Sequence, residues 1–176
     1  MDKHLRLVKK TFNVISVAMI NQLLTIFKND PSLKLFKEQI QEFAETKEDF
    51  TPALHYFQTM NIETLLEGKY GKMAVGEMVL NKDARLFTGE VGVRVPALDA
   101  LQLSQKWPKL SEKNQDYMWD YLIRMANHSV EIAMLMRLEE NPSLVSQFAS
   151  LPKLNPRATA EEYRAYTNEL MRILSQ

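Results

Sequence analysis

Apolar side chains recur at three- and four-residue intervals along most of this chain, the spacing of one face of an α-helix. In the first run, from about Lys3 to Lys28, the stripe is Leu5, Val8, Phe12, Ile15, Met19, Leu23 and Ile26. Val14, Val17, Ala18, Ile20, Leu24 and Phe27 widen it in the second half. A helix that is apolar on more than one face needs cover on more than one face. The pattern therefore predicts a helix central to a bundle, or one that also meets a partner chain.

The breaks between runs are helix starts. Asp30-Pro31 pairs a capping carboxylate with a proline at the first helical position, where a missing amide costs nothing. Leu33, Phe36, Ile40 and Phe43 then mark a second helix that ends near Thr46. Thr51-Pro52 repeats the device ahead of Leu54, Phe57 and Met60, and a short turn over 63–67 is stopped by Gly68. Met73, Met78 and Val79 predict a weaker helix over 71–80, interrupted by Gly76. From Asn81 to Pro96 the periodicity fades. Thr88-Gly89-Glu90-Val91-Gly92-Val93-Arg94-Val95-Pro96 is read as an ordered loop, with a short hairpin or an intermolecular edge as the alternative, because a lone strand has no partner within the chain.

Leu98, Leu101 and Leu103 give a short helix ending near Lys106, and Pro108 separates it from the longest run. Ser111 caps that run, with Glu112 and Asp116 at the positive end of the helix dipole. Its stripe is Met118, Leu122, Met125, Ile132 and Met136, broadened by Trp119, Ala126, Ala133 and Leu135, and it ends near Glu139, before Asn141-Pro142. A short helix over 143–151 follows. Thr159-Ala160-Glu161-Glu162 is a capping box, and Tyr163, Tyr166, Leu170 and Ile173 carry the last helix. Asn29-Asp30-Pro31-Ser32-Leu33 and Glu140-Asn141-Pro142-Ser143-Leu144 echo each other, which efficient cap chemistry explains without invoking a duplication. The expected fold is all-α: an irregular multi-helix bundle over 1–151 with two long helices packed on each other, several short ones and one ordered Gly/Val/Pro loop. A proline-containing linker over 152–158 leads to a C-terminal helix over 159–176 on the same domain.

Composition narrows the function classes. Lys plus Arg and Asp plus Glu are 22 each, so net charge is zero. Nucleic-acid binders draw most of their affinity from basic surface, so that class is disfavoured; its runner-up case rests on Lys3, Arg6 and Lys10, with Lys69, Lys72 and Lys82 in second place. Lys3, Arg6 and Lys10 share one face of the first helix and form a candidate anion contact, for phosphates or for anionic lipid with the helix lying on a membrane surface, against the plainer reading of that face as the wet side of the helix. Cysteine is absent, which excludes disulfides and thiolate chemistry and fits a reducing, cytoplasmic setting. The densest apolar stretch, 14–27, is shorter than the roughly 20 residues a spanning helix needs, and Lys28-Asn29-Asp30-Pro31 is no signal-cleavage site. Neither a transmembrane nor a secreted protein is expected.

Catalytic chemistry finds little footing. His128 and Glu131 share a helix face, but a di-iron bundle needs paired motifs on facing helices, and the facing stripes here are apolar. His128 is therefore read as a hydrogen-bonding surface histidine. Ser129 beside it points about 100° away and shares no proton with it. No nucleophile elbow and no phosphate-cradling glycine loop occur. The expectation is a non-enzymatic protein with no cofactor or metal; the rival is a hydrolase or transferase assembled around His55, His128 and scattered carboxylates. The ten methionines suit core packing first and an adaptable partner surface second.

Leu80-Asn81-Lys82-Asp83-Ala84-Arg85-Leu86-Phe87, Val95-Pro96-Ala97-Leu98-Asp99, Trp107-Pro108-Lys109-Leu110-Ser111-Glu112-Lys113-Asn114 and Met118-Trp119-Asp120-Tyr121-Leu122 follow one another in an order that resembles small helical proteins of nucleocytoplasmic large DNA viruses. The resemblance covers about 80 to 128. The chain departs from it at Val95-Pro96-Ala97, where glycine is usual, and at the polar Arg124 and Asn127. That family brings no assigned site residues, so none is carried over. The resemblance implies a viral origin, in the virion or the host cytoplasm, and a virion-associated or host-interacting role. Together these readings predict a protein–protein interaction or structural component, with a homodimer as the simplest partner arrangement. The candidate interface is Phe12, Met19, Ile20, Leu24 and Phe27 of the first helix, with Val91, Val93 and Val95 of the loop.

Overall fold

A computed structural model describes residues 2–46, 75–88, 99, 101–152 and 158–174. Among these it is all-helical, with no strand. The helices are α1 (Asp2–Ile26), α2 (Pro31–Thr46), α3 (Val75–Leu80), α4 (Arg85–Thr88), α5 (Leu103–Lys106), α6 (Glu112–Glu140), α7 (Val145–Ala149) and α8 (Ala160–Leu174). Short 3-10 turns over Trp107–Lys109 and Pro142–Leu144 lead into α6 and α7. The helices expected over 51–60 and 63–67, and the loop over 89–96, lie outside the described residues.

The long helices pack on each other, and α2 folds back along α1. Leu5, Val8, Phe12, Ile15, Met19, Ile20 and Leu23 of α1 are buried with Leu33 and Ile40 of α2 and with Met118, Trp119, Leu122, Met125, Ala126 and Ile132 of α6. Ser16 lies inside this seam. Its hydroxyl donates to the Phe12 carbonyl at 2.9 Å and faces Met125 Sδ at 3.9 Å, so its burial leaves no unsatisfied donor.

Both tryptophans meet at one corner of the core. Phe87 stacks on Trp107 with ring centroids 4.2 Å apart, and Trp119 stands edge-on to Trp107 at 4.9 Å. Such pairs add about 0.5–1.5 kcal/mol beyond the area they bury. A second apolar cluster joins Val130 of α6, Leu144, Phe148 of α7 and Tyr163, Tyr166, Leu170 and Ile173 of α8. Leu80 of α3 and Met134 of α6 pack against it.

The caps form as the sequence dictates. The Leu33 amide donates to Asp30 Oδ1 at 3.0 Å, and the Asn114 amide to Ser111 Oγ at 3.4 Å. The capping box closes in both directions: Glu162 N–H to Thr159 Oγ1 at 3.2 Å, and Thr159 N–H to Glu162 Oε2 at 2.7 Å. Asn141 repeats the role of Asp30, accepting from both the amide and the hydroxyl of Ser143.

Two readings are corrected. The stretch from Asn81, read as irregular, contains a helix stop and a helix start. Lys82 takes the left-handed conformation (φ 51°) and Asp83 N–H reaches back to the Met78 carbonyl at 2.9 Å, the bond pattern that closes α3. Asp83 then caps α4 by accepting the Arg85 amide at 3.1 Å. Met136, assigned to the core stripe, is exposed. α6 runs on past Glu131, where α1 begins beside it; Ile132 and Leu135 there still belong to the main core, whereas Met136 joins neither apolar cluster.

A buried ion pair ties α5 to the start of α2. Lys106 is almost wholly enclosed, and its ammonium meets Asp30 Oδ2 at 2.9 Å, the Leu101 carbonyl at 2.9 Å and Ser32 Oγ at 3.4 Å. Three acceptors satisfy its three donors. Burial pushes the Asp30 carboxyl up, but bonds from the Ser32 hydroxyl, the Lys106 ammonium and the Leu33 amide outweigh it and hold the carboxyl at about 2.

Trp119→Ala is expected to lower stability by about 3–5 kcal/mol in chemical denaturation; an unchanged midpoint would show that Trp119 carries no core packing. Asp30→Ala should cost about 3–5 kcal/mol, because it strands the Lys106 charge. Adding Lys106→Met should recover much of that loss, whereas additive losses in the double variant would contradict the pairing.

Candidate interaction surface

The core takes one side of α1, and helical geometry dictates what remains outside. Lys3, Leu7, Lys10 and Val14 follow at spacings of four, three and four, so they share the face opposite Phe12 and Met19. All four are exposed. Leu7 and Val14 are 59% and 60% exposed, more than any other large apolar side chain among the described residues. The same face continues through Asn21, Thr25 and Lys28, which are polar. The apolar exposure is thus confined to the first half of the helix.

The predicted interface residues fall elsewhere. Phe12 and Ile20 are fully buried and Met19 nearly so, all in the chain's own core. Leu24 and Phe27 are half-buried against that core. The apolar girth of α1 is covered by α2 and α6, so these residues supply no free interface. Val91, Val93 and Val95 lie outside the described residues. The predicted anion contacts Lys3, Arg6 and Lys10 are exposed; Arg6 also has a polar partner within the chain. Leu7 was missed because it falls outside the stripe, and Val14 because it was counted as part of it. Their signal was rotational: each sits on the wheel opposite the large buried residues.

Beside this face, His4 of α1 reaches α6. His4 Nε2 lies 3.3 Å from Glu131 Oε1, and His128 Nδ1 lies 3.6 Å from Glu131 Oε2. One carboxylate is thus flanked by two imidazoles, one from each long helix. The His128 hydrogen bond is the main influence that holds the Glu131 carboxyl below its ordinary value of 4.5; burial opposes it, and the His128 and His4 charges and the His4 hydrogen bond reinforce it. On α8, burial and the Glu131 charge push the Tyr166 hydroxyl up. That hydroxyl faces Met134 Sδ at 2.8 Å. Among the described residues, no group of three His, Asp or Glu side chains has an arrangement that would hold a metal ion, and no helix is long and apolar enough to cross a membrane. His55 lies outside them.

Comparison of the chain with family models, curated proteins and solved structures gives no match. The surface is therefore read from its own geometry.

The Glu131 contact has a defined pH dependence. A carboxyl whose folded value is depressed adds stability above its unfolded value, and that stability disappears as pH falls through the folded one. The melting-temperature gap between the wild type and Glu131→Gln is expected to be fully present above the ordinary carboxyl value of 4.5. It should shrink as pH falls below that value and through the depressed one. A gap independent of pH would mean that Glu131 contributes packing alone.

Proposed function

We propose that this protein is a non-enzymatic interaction or structural component that docks into a larger assembly through the outward face of α1. The observation that carries this reading is the exposure of Leu7 and Val14 between Lys3 and Lys10 on a helix whose other side is the centre of the core. Leu7 and Val14 are a small apolar contribution, and the reading joins them with the lysines that alternate with them on one rigid element. A rigid helix also presents that contact without the ordering cost a loop would incur. The resemblance over 80–128 gives the assembly a viral character, at a virion or a host surface.

A second copy is not the favoured occupant. Phe12, Met19 and Ile20, which supported a homodimer in the sequence, are used inside the chain. A parallel two-fold pairing of the outward faces would set Lys3 and Lys10 against the same lysines of the other copy, and an antiparallel one would set Lys3 against Val14 and Lys10 against Leu7, an ammonium against an aliphatic side chain each time. The purified chain is expected to scatter light as a 20.4 kDa monomer.

The test is sedimentation of cells broken gently at low salt. At native expression in its own cells, the wild-type chain should sediment with particles far larger than 20.4 kDa. The variant Lys3→Glu/Leu7→Ser/Lys10→Glu/Val14→Ser should stay in the supernatant as the free chain with its thermal melt preserved, since exposed substitutions shift stability by only about 0.5 kcal/mol. A wild type that stays in the supernatant, or a variant that still sediments, would overturn the reading.

A further inference from the structure

The outward face of α1 combines two features that together select a partner. α1 carries Lys3, Arg6, Lys9 and Lys10 against a single acidic residue, Asp2. Zero net charge over the whole chain thus conceals a basic first helix, balanced by acidic residues elsewhere. On the same face, Leu7 and Val14 stand in water, one pair of helical turns apart, or about 10 Å along the axis. Lys3 and Lys10 alternate with them at the same separation.

Resting on the docking role argued above, we propose that the occupant of this face is an anionic bilayer surface. Two aliphatic side chains on a rigid helix reach into the acyl boundary, while lysines on either side extend their stems along it and place their ammonium groups at the headgroup phosphates. A nucleic-acid backbone would use the lysines and leave Leu7 and Val14 without a role. A second copy is disfavoured because the same face would offer those lysines either like charges or aliphatic side chains. The helix does not insert or unfold, because its other side stays packed on α2 and α6. So few contacts make a reversible, salt-sensitive attachment, the kind that several copies in one assembly strengthen together.

The experiment is sedimentation of the full chain at low salt with two vesicle types: phosphatidylcholine alone, and phosphatidylcholine with about 30 mol% phosphatidylserine. Binding is expected to the anionic vesicles and not to the neutral ones, and to fall as salt rises. Lys3→Gln/Lys10→Gln should weaken it about 30-fold, from the loss of two charges near the surface. Leu7→Ser/Val14→Ser should weaken it about tenfold, and Leu35→Ser, at an exposed leucine of α2, should leave it unchanged. Circular dichroism of each variant confirms that it is folded. Equal binding by wild type and both double variants would overturn the proposal. So would tight binding to a single- or double-stranded oligonucleotide that is indifferent to Leu7→Ser/Val14→Ser. Failure on vesicles while the four-residue variant still leaves its cellular assembly would remove the membrane and keep the docking face; failure of both experiments would remove both.

Discussion

Lys106 carries its charge inside the protein, and the arrangement of the main core follows from how that charge is satisfied. Its partner Asp30 sits in the turn between α1 and α2 and caps α2. Lys106 itself ends α5, next to Trp107 and the turn into α6. One contact therefore fixes the α1–α2 hairpin against the aromatic corner from which α6 departs. A pair whose ammonium is enclosed while its carboxylate stays partly in water adds little net stability compared with an apolar pair of the same shape. It discriminates between arrangements instead: any packing that separates Lys106 from Asp30 strands a charge in the core.

Given that register, the apolar seam supplies the bulk of the stabilisation. Phe12, Met19, Ile20 and Leu23 are buried with Met118, Leu122 and Met125, and each large side chain taken out of water contributes roughly 1.5–3 kcal/mol. The second cluster around Tyr163 and Phe148 covers the part of α6 that extends past α1. The His4–Glu131–His128 contact stands at the join between these two regions. It is partly exposed, so it marks the end of α1 more than it holds it.

What was legible in the sequence was local. Asp30-Pro31, Ser111 and the Thr159/Glu162 box announce helix starts through side chains that bond amides two or three residues away, and the structure closes each of those bonds. Periodicity placed both long helices to within about two residues. What was illegible depends on distance along the chain. Lys106 reads as the solvated end of a short helix, and nothing nearby indicates that Asp30 will enclose it. Met136 fits its stripe but joins neither apolar cluster, because periodicity records azimuth and not which neighbour stands beside each turn. His4 and Glu131 meet only once the long helices are antiparallel. The outward face was half legible: the lysines were recognised, whereas Val14 was assigned to the apolar stripe and Leu7 to no role.

α1 presents two unlike sides: its inner side organises the core, and its outer side, basic and partly aliphatic, is the docking face we propose. Because the chain has no cysteine, single labels can be introduced without competing thiols. The most direct test attaches an environment-sensitive fluorophore at Val14→Cys and, separately, at Val145→Cys, a similarly exposed site on α7, and adds phosphatidylserine vesicles. A blue shift at position 14 with none at position 145 is the predicted result. An equal shift at both positions, or a shift at 145 alone, would contradict the assignment of the outer face of α1 as the docking surface.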